Sequence, residues 1–183
     1  MKTPSPTVSF SAKATLPAGF RAAGIIAGLN KTRTPDMALF FSDSPATMAG
    51  TFTTSQVKAA TVRLDSERVS TLGMAHGIVV NSGQANACTG KAGMRDAKAM
   101  AARAAEVLGV APELILVCST GLIGRNLPMD KLRAGIPQLK SGLSADGGER
   151  AAVAITTTDA FIKTQAAVVE LHGAKYCIGG MAK

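Results

Sequence analysis

The segment best suited to hold a developing negative charge is Ser119-Thr120-Gly121, directly after the apolar run Glu113–Cys118. A strand that ends in small hydroxyl residues and a glycine leaves hydroxyls and backbone N–H groups at a sheet edge, where they can hold an oxyanion. The same residues also suit an ordinary strand-to-turn junction. A second polar cluster is Thr156-Thr157-Thr158-Asp159. Its hydroxyls could hydrogen-bond a polar ligand, or simply mark where an Ala-rich helix ends, because β-branched threonines favour extended backbone. The third is Gly179-Gly180-Met181-Ala182-Lys183. Two glycines let backbone approach a ligand and the lysine could pair with a carboxylate; the bland alternative is a flexible loop with a solvated lysine.

Other chemistries find less support. His76 and His172 have no carboxylate at triad-like or metal-like spacing, so both read as structural or surface histidines. Cys88, Cys118 and Cys177 lie far apart with no CxxC pair, which argues against a zinc ribbon, a redox pair or a disulfide framework. Reduced thiols in a cytoplasm-like compartment follow. Cys118, inside an apolar run, reads as core. A Cys–His nucleophilic pair stays open, since such pairs meet in space. Neither GxxxxGK[ST] nor a GxGxxG after a strand is present.

These residues need a scaffold. Met1–Leu16 is polar and Pro-dotted and reads as a loose lead-in; residues 17–183 read as one domain. Asp36–Ser42 and Met48–Thr54 are strand-like and flank the turn signal Asp43-Ser44-Pro45, which predicts a hairpin. Lys58–Leu64 is a shorter candidate strand, and Gly77–Val80 a buried one that stops at Asn81-Ser82-Gly83. Residues 81–93 read as a loop. Met94, Ala97, Ala101, Ala104 and Leu108 then share one helical face, with Gly109 as the stop. Asn126 is a candidate cap for a helix marked by Met129, Leu132, Ile136 and Leu139, which Pro137 should bend or end. Gly147–Thr157 reads as a helix by its alanines. Phe161–Leu171 and Ala174–Ile178 form a hairpin through His172-Gly173. Hairpins at both ends with helices between them predict an α+β fold with a mixed or antiparallel sheet.

Composition narrows the function classes. The 183 residues are 46% hydrophobic and 17% charged, which reads as globular. No apolar run approaches the roughly 18 residues of a membrane span. Twenty Lys+Arg against twelve Asp+Glu give a net charge of +8. The charges are scattered, and with no Trp and one Tyr there is no aromatic-interleaved basic stripe for nucleic acid. An anionic small substrate or an acidic partner subunit accounts for the balance equally well. The chain also stops straight after a good strand, where a domain rarely ends; the sequence reads as cut short, as lacking a tail, or as one piece of a larger polypeptide.

Taken in order, the motifs resemble the ornithine acetyltransferase family, also called glutamate N-acetyltransferase or arginine biosynthesis bifunctional protein. The matching stretches are Pro17-Ala18-Gly19-Phe20, Phe52-Thr53 with Gln56-Val57-Lys58-Ala59-Ala60, and Asn81-Ser82-Gly83 with Asn86-Ala87-Cys88-Thr89-Gly90. They continue through Cys118-Ser119-Thr120-Gly121-Leu122-Ile123-Gly124, Leu127-Pro128-Met129, Thr157-Thr158-Asp159 and Gly179-Gly180-Met181-Ala182-Lys183.

The resemblance implies a layered α/β sandwich of two chains, often α₂β₂, made when a precursor cleaves its own backbone before a threonine. The present chain would be the first, α, chain, with a short apolar, Gly-rich segment following Lys183 before the cleavage point. The nucleophile would be the N-terminal Thr of the second chain, its own α-amine serving as base. Thr120 and Gly121 would form the oxyanion hole, and Thr157 and Lys183 would bind substrate. The implied reaction is ping-pong: N-acetylornithine acetylates the threonine, ornithine leaves, and glutamate takes the acetyl group. It needs no metal or organic cofactor, although some members also accept acetyl-CoA as donor. A cytoplasmic enzyme of arginine biosynthesis is expected, with no nucleic acid or membrane partner. A self-processing amidohydrolase or aminopeptidase is the alternative, with water in place of glutamate. A non-catalytic, nucleic-acid-binding module is the alternative outside enzymes.

Overall fold

The computed structural model describes residues 7–11 and 13–183. Its centre is a four-stranded mixed sheet in the order β2-β3-β4-β5, with β2 Phe20–Ile25, β3 Met37–Thr47, β4 Met74–Gln84 and β5 Ile115–Leu122. The pairs β2–β3 and β3–β4 are antiparallel, and β4–β5 is parallel. A separate antiparallel sheet has the order β1-β6-β7, with β1 Thr7–Ser11, β6 Lys163–Leu171 and β7 Ala174–Ala182.

Side-chain alternation in the central sheet divides the interior in two. Met37, Leu39, Val79, Ile115 and Val117 point to one face, which packs on α1 Ala60–Thr71, α2 Gly90–Leu108 and α3 Met129–Ser141. The alternate residues Ala38 and Val80, with Ala22, meet Ala151 and Ala154 of α4, the short helix Gly148–Ala154. So three helices cover one face, and one short helix covers part of the other. The Ala face of α2 is as expected: Ala97, Ala101, Ala104 and Ala105 are buried, and Gly109 closes the helix at φ 77°. The last hairpin also follows the sequence signal, because His172 and Gly173 both take positive φ, as a tight two-residue turn requires.

Several local expectations are corrected. Asp43-Ser44-Pro45 does not turn the chain. β3 runs on through it with a register shift between Phe41 and Ala46, and resumes pairing with Ala75 and Met74. The expected strand Met48–Thr54 is irregular, and the first half of β3 lies instead between β2 and β4. Lys58–Leu64 falls mostly in α1, where burial of Ala60 and Leu64 overrides the extended preference of Thr61 and Val62. Thr7–Ser11, within the expected lead-in, pairs along β6; the rest of 1–6 and residue 12 lie outside the described residues. β4 and β5 each run past their expected ends, so Asn81-Ser82-Gly83 and Ser119-Thr120-Gly121 are strand residues. Pro128, not Asn126, precedes α3, and Pro137 sits inside that helix without ending it. Gly179–Ala182 is strand rather than loop.

Candidate active site

The ends of β4 and β5 carry the site. Their register pairs Asn81 with Ser119, Ser82 with Thr120 and Gly83 with Gly121. Gly83 and Gly121 take φ +130° and +129°, and a Cβ on Gly121 would run into the Gly83 carbonyl. Both positions therefore need glycine. The surrounding polar groups explain the Asn-Ser-Gly motif. Buried Asn81 accepts the Ser119 hydroxyl at 2.6 Å and donates to the Gln84 carbonyl at 3.1 Å. Buried Ser82 donates to the Ala154 carbonyl at 2.8 Å, tying β4 to the end of α4. Buried Asp36 accepts the N–H groups of Ala27 (2.7 Å), Leu29 (2.6 Å) and Asn30 (3.0 Å), which sets the β2–β3 loop against Gly83.

β5 is an edge strand of its sheet, and α1 supplies what a fifth strand would. The Asp65 carboxylate accepts the Val117 N–H at 3.1 Å, and the Arg68 guanidinium donates to the Ile115 carbonyl. Residues 115 and 117 thus address the free edge. Peptide groups alternate along a strand, and Leu122 addresses β4 through the Ala85 N–H. The same alternation turns the Gly121 N–H away from β4, toward the free edge. The Thr120 hydroxyl makes no hydrogen bond among the described residues, and Thr120 is half-buried.

Burial pushes the Asp65 carboxyl up to about 7, against the opposing effects of the Val117 N–H and Arg68. A carboxyl that holds its proton more tightly folded than unfolded contributes stability at low pH and loses it as pH rises from about 4 toward 7. Asp65→Asn keeps an oxygen for the Val117 N–H and cannot ionise. The variant should lose less stability than wild type between about pH 5 and about pH 8, read by urea denaturation. Parallel pH profiles for the two proteins would contradict the assignment.

An open groove of about 730 Å³ lies between the partly covered sheet face and the β7 end. Thr120, Ser119, Cys118, Phe40 and Val80 line the sheet side; Gly179, Gly180, Met181 and Lys183 line the other. Cys118 is thus a groove residue rather than core. It is exposed there yet recessed enough that burial, with Asp65 adding to it, pushes its thiol up to about 11. A thiol protonated at neutral pH is a poor nucleophile. His76 is held by its Nδ1 contact to the Ser42 carbonyl and stacks on Phe41.

Thr157 joins the site through Lys183. The Lys183 ammonium donates to the Thr157 hydroxyl at 2.7 Å and to Asp159 Oδ2 at 2.8 Å. Lys163 donates to Asp159 Oδ1 at 2.7 Å, and the Thr157 N–H reaches Oδ2 at 3.1 Å. The hydrogen bonds from Lys163, then Lys183, then the Thr157 N–H hold the Asp159 carboxyl well below the usual carboxylate range. Thr120 and Lys183 therefore share one groove, with Gly121 adjoining Thr120 and Thr157 behind Lys183. The residues not singled out from sequence are Asn81, Ser82 and Gly83, Asp159 as a shared counter-ion, and Lys163. The first four stood in quoted motifs; nothing local marked Lys163. Among the described residues no cluster of His, Cys, Asp and Glu could hold a metal ion.

The ArgJ family model matches residues 21–183. The chain is 50% identical over 165 residues to an arginine biosynthesis bifunctional protein ArgJ of Thermosynechococcus vestitus, covering 90% of this chain and 39% of the relative. It is 52% identical over 171 residues to the ArgJ of Symbiobacterium thermophilum, covering 92% and 42%. The chain thus spans about two fifths of the length of these curated relatives. Among solved structures, an arginine biosynthesis bifunctional protein ArgJ from Bacillus halodurans superposes with TM-score 0.91 at 34% identity, covering 98% of this chain and 94% of that one. Ornithine acetyltransferase from Mycobacterium tuberculosis, complexed with ornithine, gives TM-score 0.88 at 40% identity, covering 96% and 94%.

Proposed function

The chain belongs to the ArgJ family, and from that premise we propose that it is the α chain of an acetyltransferase moving acetyl from N-acetylornithine to glutamate in arginine biosynthesis. One observation carries the reading. Thr120 and Lys183 line opposite sides of one groove, and the neighbouring Gly121 N–H faces the free edge of β5. A threonine hydroxyl and a backbone N–H stabilise the tetrahedral oxyanion, once on acylation and once on deacylation. Lys183, steadied by Thr157, takes the carboxylate of the N-acetylated amino acid.

The nucleophile is the N-terminal Thr of a second chain cut from the same precursor, and no threonine of this chain takes that role. Exposed Phe20, Leu122, Ile123 and Phe161 offer that partner apolar surface, and the basic balance suits an acidic one. The assembly is α₂β₂ and works without a metal or organic cofactor. Acetyl-CoA serves only as an alternative acetyl donor, giving the second of two activities. No described helix is long and apolar enough to cross a membrane, and the three cysteines are unpaired, which suits a reducing cytoplasm.

The test uses the full-length, processed protein with N-acetylornithine, with and without glutamate. Acetyl transfer makes N-acetylglutamate appear in step with ornithine. Ornithine release at the same rate without glutamate, leaving free acetate, would replace transfer by the hydrolase reading.

Lys183→Ala should raise KM for N-acetylornithine more than Thr157→Ser does. A charge-assisted hydrogen bond is worth about 1.5–3 kcal/mol, or roughly 10- to 150-fold, whereas serine keeps the hydroxyl. An unchanged KM in fully cleaved Lys183→Ala protein would remove Lys183 from the site.

A further inference from the structure

We propose that Lys163, acting through Asp159, sets the charge that Lys183 presents to the groove and so governs how tightly the site holds a carboxylate-bearing substrate. The inference rests on the acetyl-transfer reading above. The Asp159 side chain is 7% exposed, and its two oxygens are engaged separately. Oδ1 takes the Lys163 ammonium at 2.7 Å; Oδ2 takes Lys183 at 2.8 Å and the Thr157 N–H at 3.1 Å. One carboxylate shared by two ammonium groups leaves one net positive charge.

That charge is not evenly available. Lys183 lines the groove, whereas Lys163 does not and lies over the Phe161 ring at 5.3 Å. Lys163 is therefore a positioning residue: it occupies one side of Asp159 and leaves Lys183 incompletely neutralised. Without Lys163, Asp159 and Lys183 form a one-to-one pair. An incoming carboxylate then meets no net charge and competes with Asp159 for the same ammonium. Glutamate, with two carboxylates, feels this as N-acetylornithine does.

The test measures KM and kcat for both substrates with the full-length, processed protein. Lys163→Met should raise both KM values about tenfold, with kcat within about twofold of wild type. Lys163→Arg, which keeps the charge, should match wild type. Asp159→Asn added to Lys163→Met is the deciding variant. It frees Lys183 from the carboxylate while keeping an acceptor oxygen, so KM should fall back toward wild type. A merely structural Lys163 predicts the opposite, a double variant worse than the single one. An unchanged KM in Lys163→Met, or a KM in the double variant above that of the single one, overturns the inference. If the unsubstituted protein transfers no acetyl group, the acetyl-transfer reading itself fails and the inference falls with it.

Discussion

Thr120→Ala, in the full-length protein, should lower kcat for the proposed acetyl transfer by about 10²–10³, roughly 3–4 kcal/mol of lost transition-state stabilisation. The hydroxyl that disappears has no hydrogen-bond partner among the described residues, and Thr120 lines the groove, so the resting protein loses little. Charge develops on the acyl oxygen only in the transition state, so KM should move little. The proposed self-cleavage would also build an oxyanion at a backbone carbonyl, and the same donor would serve it. Processing must therefore be checked by gel, and kinetics taken on fully cleaved protein. Thr120→Ser should retain most of the activity. Equal losses in the two variants would assign the role to β-branched shape and remove Thr120 from the oxyanion hole.

Asp36→Ala should destabilise the protein by about 4 kcal/mol, because it strips a charged acceptor from three N–H groups and leaves them beside the buried start of β3. Asp36→Asn keeps one acceptor oxygen and should cost roughly half as much. The damage reaches the site through Leu29, whose carbonyl packs against Gly83, the register partner of Gly121. Folded Asp36→Asn protein should accordingly lose activity as well as stability. Urea denaturation gives the stability terms; a loss under about 1 kcal/mol for Asp36→Ala would show that water or a rearranged loop replaces the carboxylate.

The candidate site was legible in sequence to an uneven degree. Thr120, Gly121, Thr157 and Lys183 stood out because small hydroxyl residues, glycines and a lysine cluster at the ends of apolar runs; the structure puts Thr120 and Lys183 in one groove and hydrogen-bonds Thr157 to Lys183 outside its lining. Their roles came from the resemblance rather than from those patterns. Cys118 misled because an apolar run says that a strand is buried, not which of its faces is covered. Its side chain lies on the face that α4 covers in part.

What the sequence alone determined is what neighbours along the chain decide. The Ala face of α2 and its Gly109 stop follow from helical period and left-handed backbone, and the β6–β7 hairpin follows from the His172-Gly173 turn. The α+β class follows from the order of such segments. Only the tertiary structure decided that Asp43-Ser44-Pro45 continues β3, because pairing with Ala75 and Met74 outweighs a local turn preference. It alone made Lys58–Leu64 mostly helical, since the helix buries Leu64 and brings Asp65 and Arg68 to the edge of β5, about fifty residues away in the chain. It alone joined Lys183 to Asp159 and Lys163. Hydrogen bonds and charges act through space with no periodicity along the chain, so the sharing of one carboxylate between two lysines appears only once β6 and β7 have paired.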